Sequence, residues 1–240
     1  MPPVRPASSE FRNIILRRLP EQDRAALLPH LIPMDLPRGL ELLSPHSSTE
    51  WVYFLERGLG SISASTRDGR SVEIGMIGRE GVVGVSALFG HRPLAHTAMM
   101  QGSGDGHRIR TSIVRKEMLK SPVLLQSVQD ALHMQMASFA QSGLCNAMHG
   151  VEPRLSRWLL TASDVIETET MDLTHEYLAQ MLGTRRTSVS EIAGSMQRTG
   201  LITYQRGHLT ILNRAMLERA ACECYGILRD AYKQTFPDKS

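Results

Sequence analysis

Cysteine is scarce in this chain, with three residues at 145, 222 and 224 among 240, an odd number without the spacing of a disulfide framework. That excludes a disulfide scaffold and fits a reducing compartment. No segment approaches ~18 consecutive apolar residues, and the opening MPPVRPASSEFRN has no apolar stretch of signal-peptide length. A soluble, cytoplasmic protein without membrane contact is therefore expected. Large net charge is also missing: 27 Lys and Arg against 24 Asp and Glu leave +3. Any affinity for nucleic acid must come from where the cations stand, not from a polycationic body. Internal repeats, a Gly-rich phosphate loop, a nucleophile elbow and a His-Glu-x-x-His metal motif are all lacking. So is the His-x-His cluster with downstream Glu and His that a metal-dependent β-roll enzyme would need, because His91 and His96 are irregularly spaced and Glu73 and Glu80 have no paired histidines. No enzymatic activity is expected, and a 42% hydrophobic content over this length suggests two domains with proper cores.

What is present changes texture along the chain. Residues 1–9 read as disordered, and 11–31 place apolar residues at helical intervals around an interrupting Pro20. From 32 to about 113 short alternating runs are broken by Gly, Pro and Asp, including WVYFLERGLGSISAST, RSVEIGMIG, GVVGVSALFG and HTAMMQG. These read as strands of a sandwich or jelly roll, with a tight hairpin at Asp68-Gly69. After Val114 the pattern turns helical, with Ser121 as N-cap, Pro122 at the first helical position, and Leu125, Val128, Leu132, Gln135 and Phe139 recurring at intervals of three and four. Such a helix either packs within its own chain or pairs with its copy. A break near His149 to Pro153 marks a boundary, after which RLSRWLLTASDV starts another helix.

Residues 173–202, LTHEYLAQMLGTRRTSVSEIAGSMQRTGLI, have the residue types of two helices held at a fixed angle: Ala179 small at their approach, Gly183 at the turn, Val189 buried beneath the second helix. Thr174 caps the first helix and Gly200 ends the second. LITY and LTIL then form a hairpin closed by Gly207, with Arg206 and His208 near its tip, and Asn213 caps a last helix to about Gln234. Between Gly183 and Arg214 the arginines at 185, 186, 198, 206 and 214 face a lone Glu191. A solvated helix face explains such a run by itself; its coincidence with a helix-turn-helix favours DNA.

These segments, with WVYFLERGLGSI and GREGVVGVSALFG, resemble the Crp/Fnr superfamily of transcription regulators over about 13–212. The resemblance implies an α+β fold: an N-terminal β-roll (double-stranded β-helix or jelly roll) resembling a cyclic-nucleotide-binding domain over 11–120, a long connecting dimerisation helix at 121–148, a C-terminal winged helix-turn-helix at 149–213, and a C-terminal helix at 214–240. It implies a homodimer through 121–148 on double-stranded DNA with half-sites ~34 Å apart, and RNA polymerase as a further partner. The recognition helix, about 185–198, carries Arg186-Thr187-Ser188-Val189-Ser190-Glu191 where relatives have Arg-Glu-Thr-Val-x-Arg. Arg186 is retained and suits bidentate contact with guanine; Thr187 and Glu191 depart, so the operator should differ. Thr174, Gln180, Arg185, Arg186, Thr187, Ser188, Ser190 and Arg206 are the DNA-binding candidates, Gln180, Ser188 and Thr174 for positioning on the backbone.

In the sensor the family's Gly-Glu-Leu run reads Gly84-Val85-Ser86-Ala87-Leu88, and the arginine for a cyclic phosphate is missing from Arg92-Pro93-Leu94-Ala95-His96-Thr97-Ala98. Val85 accepts no hydrogen bond and His96 is a pH-dependent stand-in for arginine, so cyclic AMP is not the expected effector, although a register shift would offer Arg92. A small-molecule effector of unknown identity is expected at Gly84, Val85, Ser86, Leu88, Gln129 and His133. No iron-sulfur thiolate set lies in the N-terminal region, and no haem histidine stands out. Cys222-x-Cys224 in the last helix, with Cys145 far off in sequence, leaves a metal or redox site open; the structural reading is preferred, and neither cofactor nor metal ligand is assigned. The alternative function is a ligand-gated β-roll acting through a protein partner without DNA.

Overall fold

The computed structural model describes residues 11–45, 50–91 and 96–237. The expectations for residues 1–9 and for Arg92 lie outside that range. The described residues fall into two compact units, one drawn from within 1–62 and 77–136, the other from within 63–76 and 137–240.

The first unit starts from a polar hub. Asn13 caps α1 (Ile14–Arg18), its Oδ1 accepting from the amides of Ile15 and Leu16 while its Nδ2 donates to the carbonyls of Leu55 and Gly81. Buried Glu56 accepts from the Asn13 amide at 2.9 Å. Every polar side-chain atom of this asparagine thus has a partner, which burial requires. α2 (Glu21–Leu27) follows the interruption at Pro20, as expected. Strands β1 (Ile32–Leu36), β2 (Glu41–Leu43), β3 (Trp51–Leu55), β4 (Leu59–Ser65), β5 (Ser71–Ile77), β6 (Val82–Val83), β7 (His96–Gly102) and β8 (Gly104–Arg110) form two four-stranded sheets, ordered β1-β8-β3-β6 and β2-β7-β4-β5. The β4–β5 turn, whose residues belong to the second unit, is the one read from Asp68-Gly69: Gly69 has φ 87°, and the Thr66 amide donates to the Arg70 carbonyl.

Two expectations need correction in this unit. GVVGVSALFG is not strand throughout but β6 followed by a short helix, α3 (Val85–Leu88), because Gly84 takes a left-handed conformation at φ 88° and ends the strand. Helix α4 (Thr111–Met118) starts before Val114, at the point where the Thr111 amide leaves the sheet by donating to the Glu50 carbonyl.

Helix α5 (Pro122–Met148) has the expected start, with Ser121 Oγ accepting from the Leu124 amide at 3.0 Å. Three of its periodic residues pack within the chain. Val128 is fully buried with Phe54, Leu88, Val114 and Leu124, and Leu125 and Leu132 pack on that core. Another stripe, Gln129, His133, Met136, Ala140, Leu144 and Met148, is exposed.

In the second unit α6 (Val151–Ile166) buries Leu155, Trp158, Leu159 and Ala162. Trp158 Nε1 donates to Glu73 on β5 at 2.8 Å, which gives both buried side chains a polar partner. Then come β9 (Thr170–Asp172), α7 (His175–Leu182), α8 (Arg186–Arg198), β10 (Ile202–Gln205) and β11 (His208–Ile211). β9 pairs with β11 and turns the expected hairpin into a three-stranded sheet. Three residues with polar ends carry too little periodicity to announce a strand. Asn213 caps α9 (Arg214–Ala220), but the last helix is not continuous: Ala221 is extended at ψ 152° and α10 (Cys224–Thr235) starts afresh.

Candidate nucleic-acid interface

The α7–α8 corner is built as its residues require. Thr174 Oγ1 accepts from the Tyr177 amide at 3.1 Å, capping α7. Gly183 ends that helix at φ 59°, ψ 39°, and the Thr184 amide returns to the Ala179 carbonyl, the left-handed helix stop that glycine makes without steric cost. Ala179, Val189, Ala193 and Met196 are buried in the seam. Spacings of four and three put the last three on one face of α8, so Arg186, Thr187, Glu191 and Arg198 are left on the exposed side.

The wing stands beside them. β10 and β11 pair from Ile202↔Ile211 to Gln205↔His208, leaving Arg206-Gly207 as a two-residue turn with φ 51° and 87°. Both values are positive, the type I′ geometry that suits the twist of a hairpin. Tyr204 fastens the wing to the corner. Its hydroxyl donates to the Leu173 carbonyl at 3.0 Å, its amide donates to Gln197 Oε1 at 3.0 Å, and its ring stacks on His175 at 4.4 Å. His175 in turn meets Ser190 Oγ through Nδ1 at 2.9 Å. Burial first, and the charge of Arg186 second, hold the His175 pKa below its ordinary value.

Thr174, His175, Glu176, Arg186, Tyr204, Arg206 and Gly207 line one cleft of about 570 Å³. It brings the start of α8 and the wing turn to a common space. Arg186 has Glu176 at 4.0 Å, with both side chains largely in water, so the pair is weak and the guanidinium is available.

Of the expected DNA-binding residues, Thr174, Arg186 and Arg206 are gathered at this cleft. Arg185 and Thr187 are exposed beside it and Ser188 is half-buried. Ser190 is turned into the α7–α8 seam toward His175, and Gln180 Nε2 donates to Ser71 Oγ at 2.8 Å. Those two side chains hold the corner in place. Arg214 also leaves the charge count of the interface. It binds Asp164, Glu169 at 3.2 Å, Glu218 at 3.2 Å and the Tyr225 hydroxyl at 2.8 Å. Burial would lower its pKa, but the bond to Asp164 and the surrounding acids raise it overall. The part played by His175 and Tyr204 is not announced in the sequence, because they come from separate segments and have no common period. Arg198, one of the cations counted in the sequence, remains exposed at the far end of α8.

The effector candidates stand in differing surroundings. Val85 and Leu88 are core residues, Gly84 is the left-handed cap of α3, and Gln129 and His133 on α5 are exposed. Three cysteines that the sequence spreads over α5 and the C-terminus do converge: Cys145, Cys222 and Cys224 form one buried cluster, with His149 at its edge.

Residues 153–220 match the model of the Crp-like helix-turn-helix domain. The anaerobic regulatory protein of Bacillus subtilis (strain 168) is 22% identical over 183 residues, covering 73% of this chain and 77% of that protein. Among solved structures, the c-di-GMP responsive global regulator CLP of Xanthomonas campestris superposes with a TM-score of 0.67 at 17% identity, over 81% of this chain and 100% of that one. A CRP-family transcriptional regulator from Thermus thermophilus gives 0.66 at 21% identity, over 78% and 96%. These likenesses establish the fold; the family model covers its helix-turn-helix part. Among the described residues no helix is long and apolar enough to cross a membrane.

Proposed function

We propose that this chain, a transcription regulator of the Crp/Fnr superfamily with a Crp-like helix-turn-helix DNA-binding domain, works in the cytoplasm as a homodimer on a two-fold-symmetric operator. The observation that carries the reading is the pairing of Arg186 at the start of α8 with Arg206 at the wing turn, both lining one cleft. The N-terminal end of a recognition helix is the part that enters the major groove, while a wing follows the phosphates. Arg186 then contacts a guanine through its planar fork, Thr187 and Glu191 read neighbouring bases, and Arg206 meets the backbone. Glu191 accepts from base donors and repels phosphate, which disfavours the operators of relatives with arginine there.

The exposed stripe of α5 supports the dimer. Met136, Leu144 and Met148 are apolar and face solvent in the single chain, as the partner face of a helix pair would. Gln129 and His133 lie on this stripe, which suits them to the subunit contact better than to a ligand pocket. The effector, if the β-roll takes one, is not bound by cyclic-nucleotide chemistry, because Val85 is a buried hydrocarbon where a carboxylate would be needed. RNA polymerase is the further partner that the family implies.

Selection from a random duplex pool with the purified chain tests this. A two-fold-symmetric consensus with half-sites ~34 Å apart is expected. Arg186→Ala should cost about 1–3 kcal/mol and relax preference at one base pair of each half-site. Equal loss on every operator variant would remove Arg186 from base reading. Failure to enrich any sequence would move the output to a protein partner.

A further inference from the structure

We infer that Cys145, His149, Cys222 and Cys224 form a closed tetrahedral site for one thiophilic divalent cation of the zinc class. Their donor atoms all lie within 4.8 Å of one another. Cys145 Sγ and Cys222 Sγ are 3.5 Å apart, and Cys224 Sγ is 3.6 Å from His149 Nδ1. A zinc tetrahedron with metal–sulfur bonds of about 2.3 Å and metal–nitrogen bonds of about 2.05 Å has S···S edges of about 3.8 Å and S···N edges of about 3.6 Å. The widest separation has about 1 Å to close, which side-chain rotation supplies.

The backbone is arranged for these four groups. Cys145 and His149 are four residues apart at the end of α5, with the His149 amide still donating to the Cys145 carbonyl at 3.1 Å, so both point to one side. Two residues apart in a helix, Cys222 and Cys224 would diverge by about 200°. The break that follows α9 leaves Cys222 outside α10, which begins only at Cys224, so helical spacing does not govern the pair and both sulfurs join the cluster. The unexpected break in the last helix is thus what completes the ligand set.

The surroundings match a thiolate-rich metal centre. His149 Nε2 is 3.3 Å from Glu223 Oε1, the carboxylate–histidine arrangement that turns the other ring nitrogen toward a metal. Gln141 Nε2 donates to Cys224 Sγ at 3.0 Å. Three thiolates and a neutral imidazole around a divalent cation carry one net negative charge, and buried Arg154 is within electrostatic reach of Cys145 and Cys222. Metal entry releases three thiol protons to solvent, and nothing is oxidised. A disulfide would use two of the cysteines and leave Cys224, His149, Gln141 and Glu223 unexplained. An iron-sulfur cluster holds its ligands on separate irons, and these four donors converge on a single point. All four positions are protein-held, so the site is structural, tying the end of α5 to α9 and α10.

Elemental analysis of the full chain, purified without chelators, should find about one zinc per chain. Cobalt(II) taken up by the chain stripped of zinc should show thiolate charge-transfer and intense tetrahedral d–d bands. Cys222→Ser and Cys224→Ser should each lower zinc affinity by about tenfold or more, while His149→Cys should keep the metal. The wild-type cobalt spectrum decides the matter even where a serine variant fails to fold. Three freely titrating thiols without bound metal would overturn the site. So would a Cys145–Cys222 disulfide in unreduced protein, or iron accompanied by acid-labile sulfide.

Discussion

Arg206 and Arg214 belong to one short stretch of sequence and carry the same charge, but their neighbours assign them different work. Arg206 projects from a hairpin turn into the cleft; Arg214 is held by Asp164, Glu169, Glu218 and Tyr225. Arg206→Ala should weaken binding to all duplex sequences alike and reduce the salt slope by about 1. Arg214→Ala should leave that slope unchanged and lower folding stability by about 1 kcal/mol, a modest figure because the network is partly exposed. Salt titrations of DNA binding and denaturant melts of both variants separate the two roles. His175 makes a pH-dependent contribution of definite sign. Its unfolded pKa is about 6.5, and burial with the nearby Arg186 lowers it in the fold. Between those two values the unfolded chain binds more protons, so stability rises with pH through this interval and is lost on acidification below about 6.5. His175→Gln should flatten the slope of melting temperature against pH there; a profile unchanged from wild type would separate His175 from it.

At the level of elements, the wing depends on backbone geometry more than on side chains. Gly207 sits at φ 87°. Gly207→Ala should cost about 1–2 kcal/mol, the penalty of a side chain in the left-handed region. DNA affinity should fall with it, since Arg206 would lose its fixed aim; calorimetry with a parallel binding assay checks both. Element types were readable where local chemistry is strong. Ser121, Thr174 and Asn213 each accept the capping hydrogen bond that their residue type promised, and Gly183 and Gly207 take the positive φ that turns demand. β9, α3 and the break at Ala221 were not readable. Each is only a few residues long and too short to carry a period, and β9 exists through its pairing with β11, distant in sequence.

For the molecule as a whole, α5 shows how one periodic pattern serves two faces. Its strongest apolar series is buried in its own unit, which leaves Met136, 63% exposed, in the middle of the weaker stripe. Met136→Glu should shift the chain from dimer to monomer in sedimentation and weaken binding to a two-half-site operator more than to a single half-site. A variant that sediments as wild type would place the subunit contact elsewhere. Helix caps, turn positions and the helix-turn-helix corner were determined by sequence alone, because each rests on contacts within a few residues. Tertiary structure decided which arginine joins an internal network and which lines the open cleft beside α8. It also turned Ser190 toward His175, joined exposed Gln180 to Ser71, selected the exposed face of α5, and brought Cys145 to Cys222. Those outcomes depend on which distant segments share a neighbourhood, and a cysteine's local sequence carries no record of the sulfur it will meet.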